Sequence, residues 1–255
     1  MSRPSDPADP GALNGATIAF DLDGTLVDTA PDLVAVLNGL LEGENLAPLP
    51  LAVARPLIGR GARKLIARGF LAAGANDPGP HIEALFHRFI DAYRRRIAKE
   101  SRPYPGATTA LDTLAQAGAR LCICTNKPTD LATLLIRELG LIDRFAAIVG
   151  PDAAPAAKPD PAHLIAAIAK AGGRLDRAVM VGDSEADAKA ARAAGVPLVL
   201  VSFGYTEVPA AQLGPDVLID HFDELPAACA RLLGPLSPPA PAAIGRCPPD
   251  GPTDA

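Results

Sequence analysis

Two aspartates, Asp21 and Asp23, end an apolar run in the segment AFDLDGTLVDT, with a single residue between them. Carboxylates this close repel each other, so the pattern indicates a cation beside them. Oxygen ligands are what Mg²⁺ prefers, and in proteins such carboxylates commonly bridge the metal to a phosphate. Simple capping of the next helix is the alternative, but it does not account for the apolar strand that leads directly into the pair.

A calcium-binding loop is a second alternative for an Asp-x-Asp-Gly segment. The twelve-residue loop requires glycine at its sixth position and glutamate at its twelfth. Leu26 and Asp32 occupy those positions here. The sequence therefore argues against a calcium loop.

Further polar residues follow later apolar runs. They are Thr125, Asn126 and Lys127 after LCIC, Lys158 in AKPDPAHL, and Asp183, Ser184 and Asp187 in GDSEAD after AVMV. Taken singly, turn chemistry, a solvated lysine and ordinary acids at a helix start explain them equally well. Taken together, they would meet at one edge of a parallel sheet, because ligand sites lie at the carboxyl ends of parallel strands.

The elements that position these residues can be predicted from hydrophobic patterns. The runs TIAF, LCIC, AAIV, AVMV and VPLVLVSF are expected to be buried parallel strands. The helical patterns TTALDTLAQAG, TDLATLLIRELG and EADAKAARAAG alternate with them, and each ends at a glycine. This alternation predicts an α/β fold with a doubly wound, Rossmann-like parallel sheet.

The interval between the first two predicted strands is far longer than one crossover helix requires. Within it, apolar residues follow the spacing of one buried helix face, namely Ile82, Leu85, Phe86, Phe89, Ile90, Tyr93 and Ile97. We therefore predict a helical cap over residues 29–102, inserted into a core of residues 16–28 and 103–233. Residues 1–15 are predicted to be a flexible tail, and residues 234–255 a disordered proline-rich tail.

The composition limits the classes of partner. With 24 Lys and Arg against 29 Asp and Glu, the net charge of −5 gives no general attraction to nucleic acid or to an anionic membrane. Neither a signal peptide nor a membrane span is evident, and the four cysteines lack zinc-site spacing. We expect a cytoplasmic protein with reduced thiols, either a monomer or a homodimer.

The segments DLDGT, TN, KP and GDSEAD together resemble the motifs of the haloacid dehalogenase superfamily, over residues 16–233. The resemblance implies a Mg²⁺-dependent phosphotransferase in which Asp21 attacks phosphorus and forms an aspartyl-phosphate. By the same resemblance, Asp23 is the general acid and base. Lys158 would neutralise the negative charge that is crowded at the site. The remaining implied roles are Mg²⁺ binding by Asp21, Asp183 and the Asp23 carbonyl, phosphate contacts by Thr125, Asn126 and Gly24, and support from Ser184 and Asp187.

The segment LIGRGARKLI within the predicted cap resembles the cap loop of phosphoglycolate phosphatases. This resemblance makes Arg60 and Lys64 candidates for binding a substrate carboxylate, although a solvated basic helix face explains them as well. The expected activity is hydrolysis of a small phosphate monoester, with 2-phosphoglycolate as the first candidate. The alternatives are a pyrophosphatase, a sugar-phosphate phosphatase, a phosphomutase, or a non-catalytic metal-binding or interaction protein.

Overall fold

The computed structural model describes residues 10–235. The strands are β1 (Thr17–Phe20), β2 (Val27–Asp28), β3 (Arg102–Pro103), β4 (Arg120–Cys124), β5 (Ala147–Val149), β6 (Ala178–Gly182), β7 (Leu198–Val201) and β8 (Val217–Ile219). The α-helices are α1 (Ala30–Gly43), α2 (Leu51–Ala54), α3 (Ala62–Ala72), α4 (Ile82–Arg94), α5 (Ala107–Gln116), α6 (Thr129–Glu138), α7 (Pro161–Lys170), α8 (Glu185–Ala194) and α9 (Leu225–Leu233).

The main sheet is parallel and has the strand order β5-β4-β1-β6-β7-β8. Its register pairs Phe20 with Ile123 on one side and with Val181 on the other. The chain builds the sheet outward from β1 in one direction and then in the other, so the predicted doubly wound α/β fold is confirmed. The strand β8 at the edge and the short antiparallel pair β2–β3 were not predicted.

Alternate residues of each strand face opposite sides of the sheet, as the two-residue period of a strand requires. Ile18 and Phe20 belong to an apolar cluster with residues of α5, α6 and α9, whereas Ala19 belongs to a second cluster with residues of α7 and α8. Both faces are therefore covered, which explains why the strands read as continuous apolar runs.

Between β2 and β3 the chain is helical. The predicted helix face is buried at Leu85, Phe89, Tyr93 and Ile97, while the other predicted members, Ile82, Phe86 and Ile90, are partly buried against the same cluster. Helix α4 packs on α1 and α3. The pair β2–β3 brings the two ends of this helical segment side by side. Its division from the core as a cap stays a prediction.

The first described residues differ from expectation. Residues Pro10–Leu13 form a 3-10 helix, and Ala12 and Leu13 are buried, so ordered structure begins before the predicted boundary at residue 16. The rest of the tail predictions falls on residues 1–9 and 236–255, outside the described residues. Within residues 10–235, every helix is too short or too polar to cross a membrane. A cytoplasmic location and the oligomeric state stay predictions.

Candidate active site

The candidate acids lie where the two halves of the sheet meet. Asp21 directly follows β1, and Asp183 directly follows the neighbouring strand β6. The Asp21 backbone N–H donates to the carbonyl of Val181 at 2.8 Å, which fixes the two strand ends side by side. This is the switch point of a doubly wound sheet, where ligands bind.

Carboxylate oxygens of Asp21, Asp183 and Asp187 lie within 4.8 Å of one another, and all three residues are buried. The Asp183 carboxylate accepts a hydrogen bond from Thr25 Oγ1 at 2.8 Å on one oxygen. Its other oxygen accepts one from the Tyr205 backbone N–H at 2.7 Å. Neutral donors thus orient Asp183 without neutralising it.

Asp187 has a different environment, because it lies in the first turn of α8 and helps to cap that helix. Its Oδ2 accepts from Ser184 Oγ at 2.6 Å and from the Ser184 backbone N–H at 3.0 Å, in a capping box. Its Oδ1 accepts from Lys158 Nζ at 2.7 Å. Both oxygens are therefore engaged by protein donors, and Ser184 serves to hold Asp187.

Lys158 bridges two of the acids. Its Nζ lies 2.9 Å from Asp21 Oδ1 and 2.7 Å from Asp187 Oδ1, and its side chain is almost fully buried. Burial alone lowers the pKa of Lys158, but the charges of Asp187 and Asp21 raise it above the ordinary lysine value. Lys158 is consequently a permanent cation next to the Asp21 carboxylate.

The backbone of Lys158 is held by two side chains. Asn126 Nδ2 donates to the Lys158 carbonyl at 3.0 Å, and Asn126 Oδ1 accepts from the Lys158 N–H at 3.0 Å. The same N–H approaches His163 Nδ1 at 3.2 Å, while His163 Nε2 donates to the Val149 carbonyl at 3.0 Å. Burial lowers the pKa of His163, which suits this neutral tautomer.

The acids carry more negative charge than the lysines balance. Burial raises the pKa of Asp21 to about 6, although the Lys158 charge opposes the shift. Burial and the neighbouring Asp21 and Asp187 charges raise the pKa of Asp183 to about 8. Buried carboxylates with only oxygen donors and too few counter-charges fit a hard divalent cation such as Mg²⁺.

A cavity of about 50 Å³ lies in front of these acids. Asp21, Asp23, Thr125 and Asn126 line its floor, and the apolar residues Leu33, Ile58, Leu65, Phe89, Ile90 and Leu131 line its walls. The cavity is partly open, and it shares Ile58, Gly59, Gly61 and Asn126 with a larger neighbouring cleft. The helical segment 29–102 provides most of the walls.

Asp23 also has a lysine partner. Lys127 Nζ lies 2.8 Å from Asp23 Oδ1 and 3.1 Å from Asp23 Oδ2. Burial lowers the pKa of Lys127, but the Asp23 charge raises it more, to above the ordinary lysine value. Thr125 Oγ1 accepts from the Lys127 backbone N–H at 3.1 Å, which orients the Thr125 hydroxyl at the cavity floor.

The predicted basic residues of the cap loop lie elsewhere. Arg60 and Lys64 line a neighbouring cleft of about 360 Å³, together with Lys158 and Ser184. The Arg60 guanidinium lies 3.5 Å from the carboxylate of Glu185. Neither residue lines the smaller cavity in front of Asp21, so their role in substrate binding stays a prediction.

Gly24 was predicted to contact phosphate. A Cβ at Gly24 would lie 2.7 Å from Asp183 Oδ2 and 2.7 Å from the Tyr205 ring, and the backbone has φ +88°. Gly24 therefore makes room for the Asp183 carboxylate, and it is not among the residues that line the cavity. Its contact with phosphate stays a prediction.

Two residues with clear contacts in the site, His163 and Tyr205, were absent from the predicted set. Lys127 was predicted to lie with Thr125 and Asn126 at the strand ends, but the sequence assigned it no role. His163 and Tyr205 act through contacts that no local pattern indicates.

Comparisons with known proteins agree with the motifs. The sequence profile of the haloacid dehalogenase-like hydrolases matches residues 16–195. A relative from Caulobacter vibrioides named phosphoglycolate phosphatase is 57% identical over 229 residues, covering 90% of this chain and 96% of the relative. A protein of the same name from Agrobacterium fabrum is 49% identical over 215 residues, covering 84% and 92%.

The fold also matches solved structures. A crystal structure of a predicted phosphoglycolate phosphatase from Haemophilus somnus superposes with a TM-score of 0.77 at 31% identity. The match covers 84% of this chain and 96% of that one. Because 84% of this chain is matched, the similarity includes residues of both the sheet and the helical segment 29–102.

Proposed function

The chain belongs to the haloacid dehalogenase-like hydrolase family, and from this premise we propose that it is a phosphatase acting on 2-phosphoglycolate. The observation that carries the proposal is the meeting of Asp21, Lys158 and Asp183 at the switch point, where Asp21 and Asp23 line one cavity. The names of the similar proteins support the choice of substrate.

Asp21 is the proposed nucleophile. Lys158 holds its Oδ1, and the other carboxylate oxygen attacks phosphorus. A bond forms between Asp21 and phosphorus while the ester P–O bond breaks. The leaving alkoxide takes a proton from the Asp23 carboxyl group, and glycolate departs.

The second step regenerates the enzyme. The Asp23 carboxylate takes a proton from a water molecule, whose oxygen attacks the phosphorus of the aspartyl-phosphate. The bond between phosphorus and Asp21 breaks, and inorganic phosphate is released. Asp23 ends the cycle protonated, which is the state that the first step requires.

Other residues neutralise and orient the phosphate. Lys158 supplies a fixed positive charge, and the Thr125 hydroxyl and the Asn126 backbone amide are the proposed hydrogen-bond donors. Asp21, Asp183 and the Asp23 carbonyl would hold Mg²⁺, which when bound offsets the negative charge of the phosphate. Asp187 keeps Lys158 in place through its 2.7 Å contact.

The helical segment 29–102 is the proposed cap. It lines the cavity with Ile58, Leu65 and Phe89, so it shields the reacting groups from bulk water and would contact the leaving group. A cap of this kind would determine substrate choice through its shape.

Phosphate release tests the proposal. Purified protein with Mg²⁺ is expected to hydrolyse 2-phosphoglycolate with a higher kcat/KM than pyrophosphate or glucose 6-phosphate. The Asp21→Asn variant should be folded and inactive, and hydroxylamine added during turnover should convert the acyl-phosphate of the wild type into a hydroxamate at Asp21 and release phosphate. If the wild type releases phosphate from none of these compounds, the proposal is overturned. If kcat/KM is higher for glucose 6-phosphate or pyrophosphate, that compound becomes the proposed substrate instead.

A further inference from the structure

Lys127 is a buried lysine in the cavity to which the mechanism above gives no role. Its side chain is 4% exposed, and its ammonium group contacts both oxygens of Asp23, at 2.8 Å and 3.1 Å. Among the described residues that line this cavity, Lys127 is the one basic side chain. The charge of Lys127 therefore acts directly on Asp23, the proposed general acid.

The other side of the same ammonium group faces the helical segment. Lys127 Nζ lies 4.5 Å from the centroid of the Tyr93 ring, within the range of a cation–π contact. Tyr93 belongs to α4 and is buried. Lys127 thus lies between an acid of the sheet domain and an aromatic ring of the proposed cap.

The Asp23 carboxylate needs such a partner. Its side chain is 14% exposed, and it shares the cavity with Asp21, whose charge repels it. A general acid must stay within hydrogen-bond reach of the leaving oxygen, and small displacements are costly. One ammonium group on both oxygens restricts rotation of the carboxylate, and a single N–H donor from it can hold the carbonyl oxygen of the protonated acid in the same place.

We propose that Lys127 is a positioning residue that holds Asp23 at the leaving-group oxygen and makes that position depend on the cap through Tyr93. The inference rests on the proposed phosphatase function. Two carboxylate oxygens and an aromatic face already surround the Lys127 ammonium group. This arrangement favours orientation of Asp23 over direct binding of a substrate carboxylate.

A double-mutant cycle on 2-phosphoglycolate tests the inference. Lys127→Met keeps the length of the side chain and removes its charge, and it should lower kcat/KM by about 100-fold in the wild-type background. In the Asp23→Asn background the same change should lower kcat/KM by less than about threefold, because a residue that acts through Asp23 has nothing left to position. If the loss of kcat/KM in the double variant equals the product of the two single losses, the proposal is overturned.

The dependence on the leaving group gives a second readout. An alkyl ester such as 2-phosphoglycolate needs protonation of its leaving oxygen, whereas p-nitrophenyl phosphate leaves as a stabilised anion. Lys127→Met should therefore lower kcat/KM for p-nitrophenyl phosphate by less than about fivefold. Equal losses on both substrates would contradict a role through the acid and indicate a structural role.

Two further variants complete the design. Lys99→Met changes an exposed lysine of the helical segment and should match the wild type on both substrates. Tyr93→Leu removes the ring, and we expect a selective loss on the alkyl ester. An equal loss on both esters would refute the link to the cap. If the wild type hydrolyses neither ester, the proposed function fails; if it hydrolyses them and the cycle is multiplicative, only this inference fails.

Discussion

A single methyl group added at Gly204 should displace Asp183 from the site. A Cβ at this position would lie 2.1 Å from Asp183 Cβ and 2.5 Å from Asp183 Oδ2. Non-bonded carbon atoms approach only to about 3.5–4.0 Å, so one of the two residues must move by more than about 1 Å. Gly204 is followed by Tyr205, whose backbone N–H holds the Asp183 carboxylate, so movement of either residue disturbs that hydrogen bond.

The magnitude follows from the size of this displacement. A 1 Å error in the position of a catalytic group costs on the order of 10²-fold in rate, or about 2.7 kcal/mol of transition-state stabilisation. Overpacking of a buried site costs about 1–3 kcal/mol of folding free energy. Gly204→Ala should therefore lower kcat/KM for 2-phosphoglycolate about 100-fold while the protein stays folded.

The assay is phosphate release across a Mg²⁺ titration, with the melting temperature measured on the same samples. Gly39→Ala is the matched control, because Gly39 lies in α1 with open space around its Cβ position and should gain about 0.5–1 kcal/mol of stability. An active Gly204→Ala protein, with more than half of the wild-type kcat/KM, would refute the argument that Gly204 makes room for Asp183.

Three further predictions concern residues around the site. Asn126→Leu removes both hydrogen bonds to the Lys158 backbone and should lower kcat about tenfold and stability by about 1–3 kcal/mol, measured by turnover and urea unfolding. Burial acts to raise the pKa of Asp32, but hydrogen bonds from the backbone of Glu100 and from Ser101 lower it below the ordinary value. Ionised Asp32 therefore stabilises the fold above the unfolded pKa near 3.8, and this contribution is lost as the pH falls below that value. In urea unfolding, the free energies of unfolding of Asp32→Asn and the wild type should converge in acid. Arg60→Ala should change KM for 2-phosphoglycolate by less than about threefold, because the Arg60 side chain is half exposed and paired with Glu185; a tenfold rise would support its predicted role as a substrate ligand.

The fold was predictable because most of its strands are continuous apolar runs with turn residues at both ends. Helices cover both faces of the sheet, so β1, β4 and β6 have no polar face that could obscure the pattern. Within the main sheet the exception is β8, a three-residue edge strand with one buried residue and a single strand partner. A run this short between Asp216 and Asp220 cannot be distinguished from a loop by periodicity.

The site was predictable only in part. Positions at strand ends follow from topology, which is why Asp21 and Asp183 were selected together. The direction of a loop side chain does not follow from topology, and Arg60 accordingly lies in the neighbouring cleft. The contacts of His163 and Tyr205 are also set by the tertiary structure: the Tyr205 amide meets Asp183 because the loop after β7 folds back over the strand ends.

The two aspartates of the opening segment can lie close together because each has its own ammonium group. Asp21 contacts Lys158 and Asp23 contacts Lys127, so each charge is balanced by a different lysine. Asp183 accepts only from a hydroxyl group and a backbone amide among the hydrogen bonds of the described residues. The uncompensated negative charge therefore lies toward Asp183, away from Asp23. A metal cation would be drawn to Asp21 and Asp183, which leaves the Asp23 side chain available for proton transfer. The two aspartates thus have unequal proposed roles because Asp21 lies beside the uncompensated Asp183, whereas Asp23 is paired with Lys127.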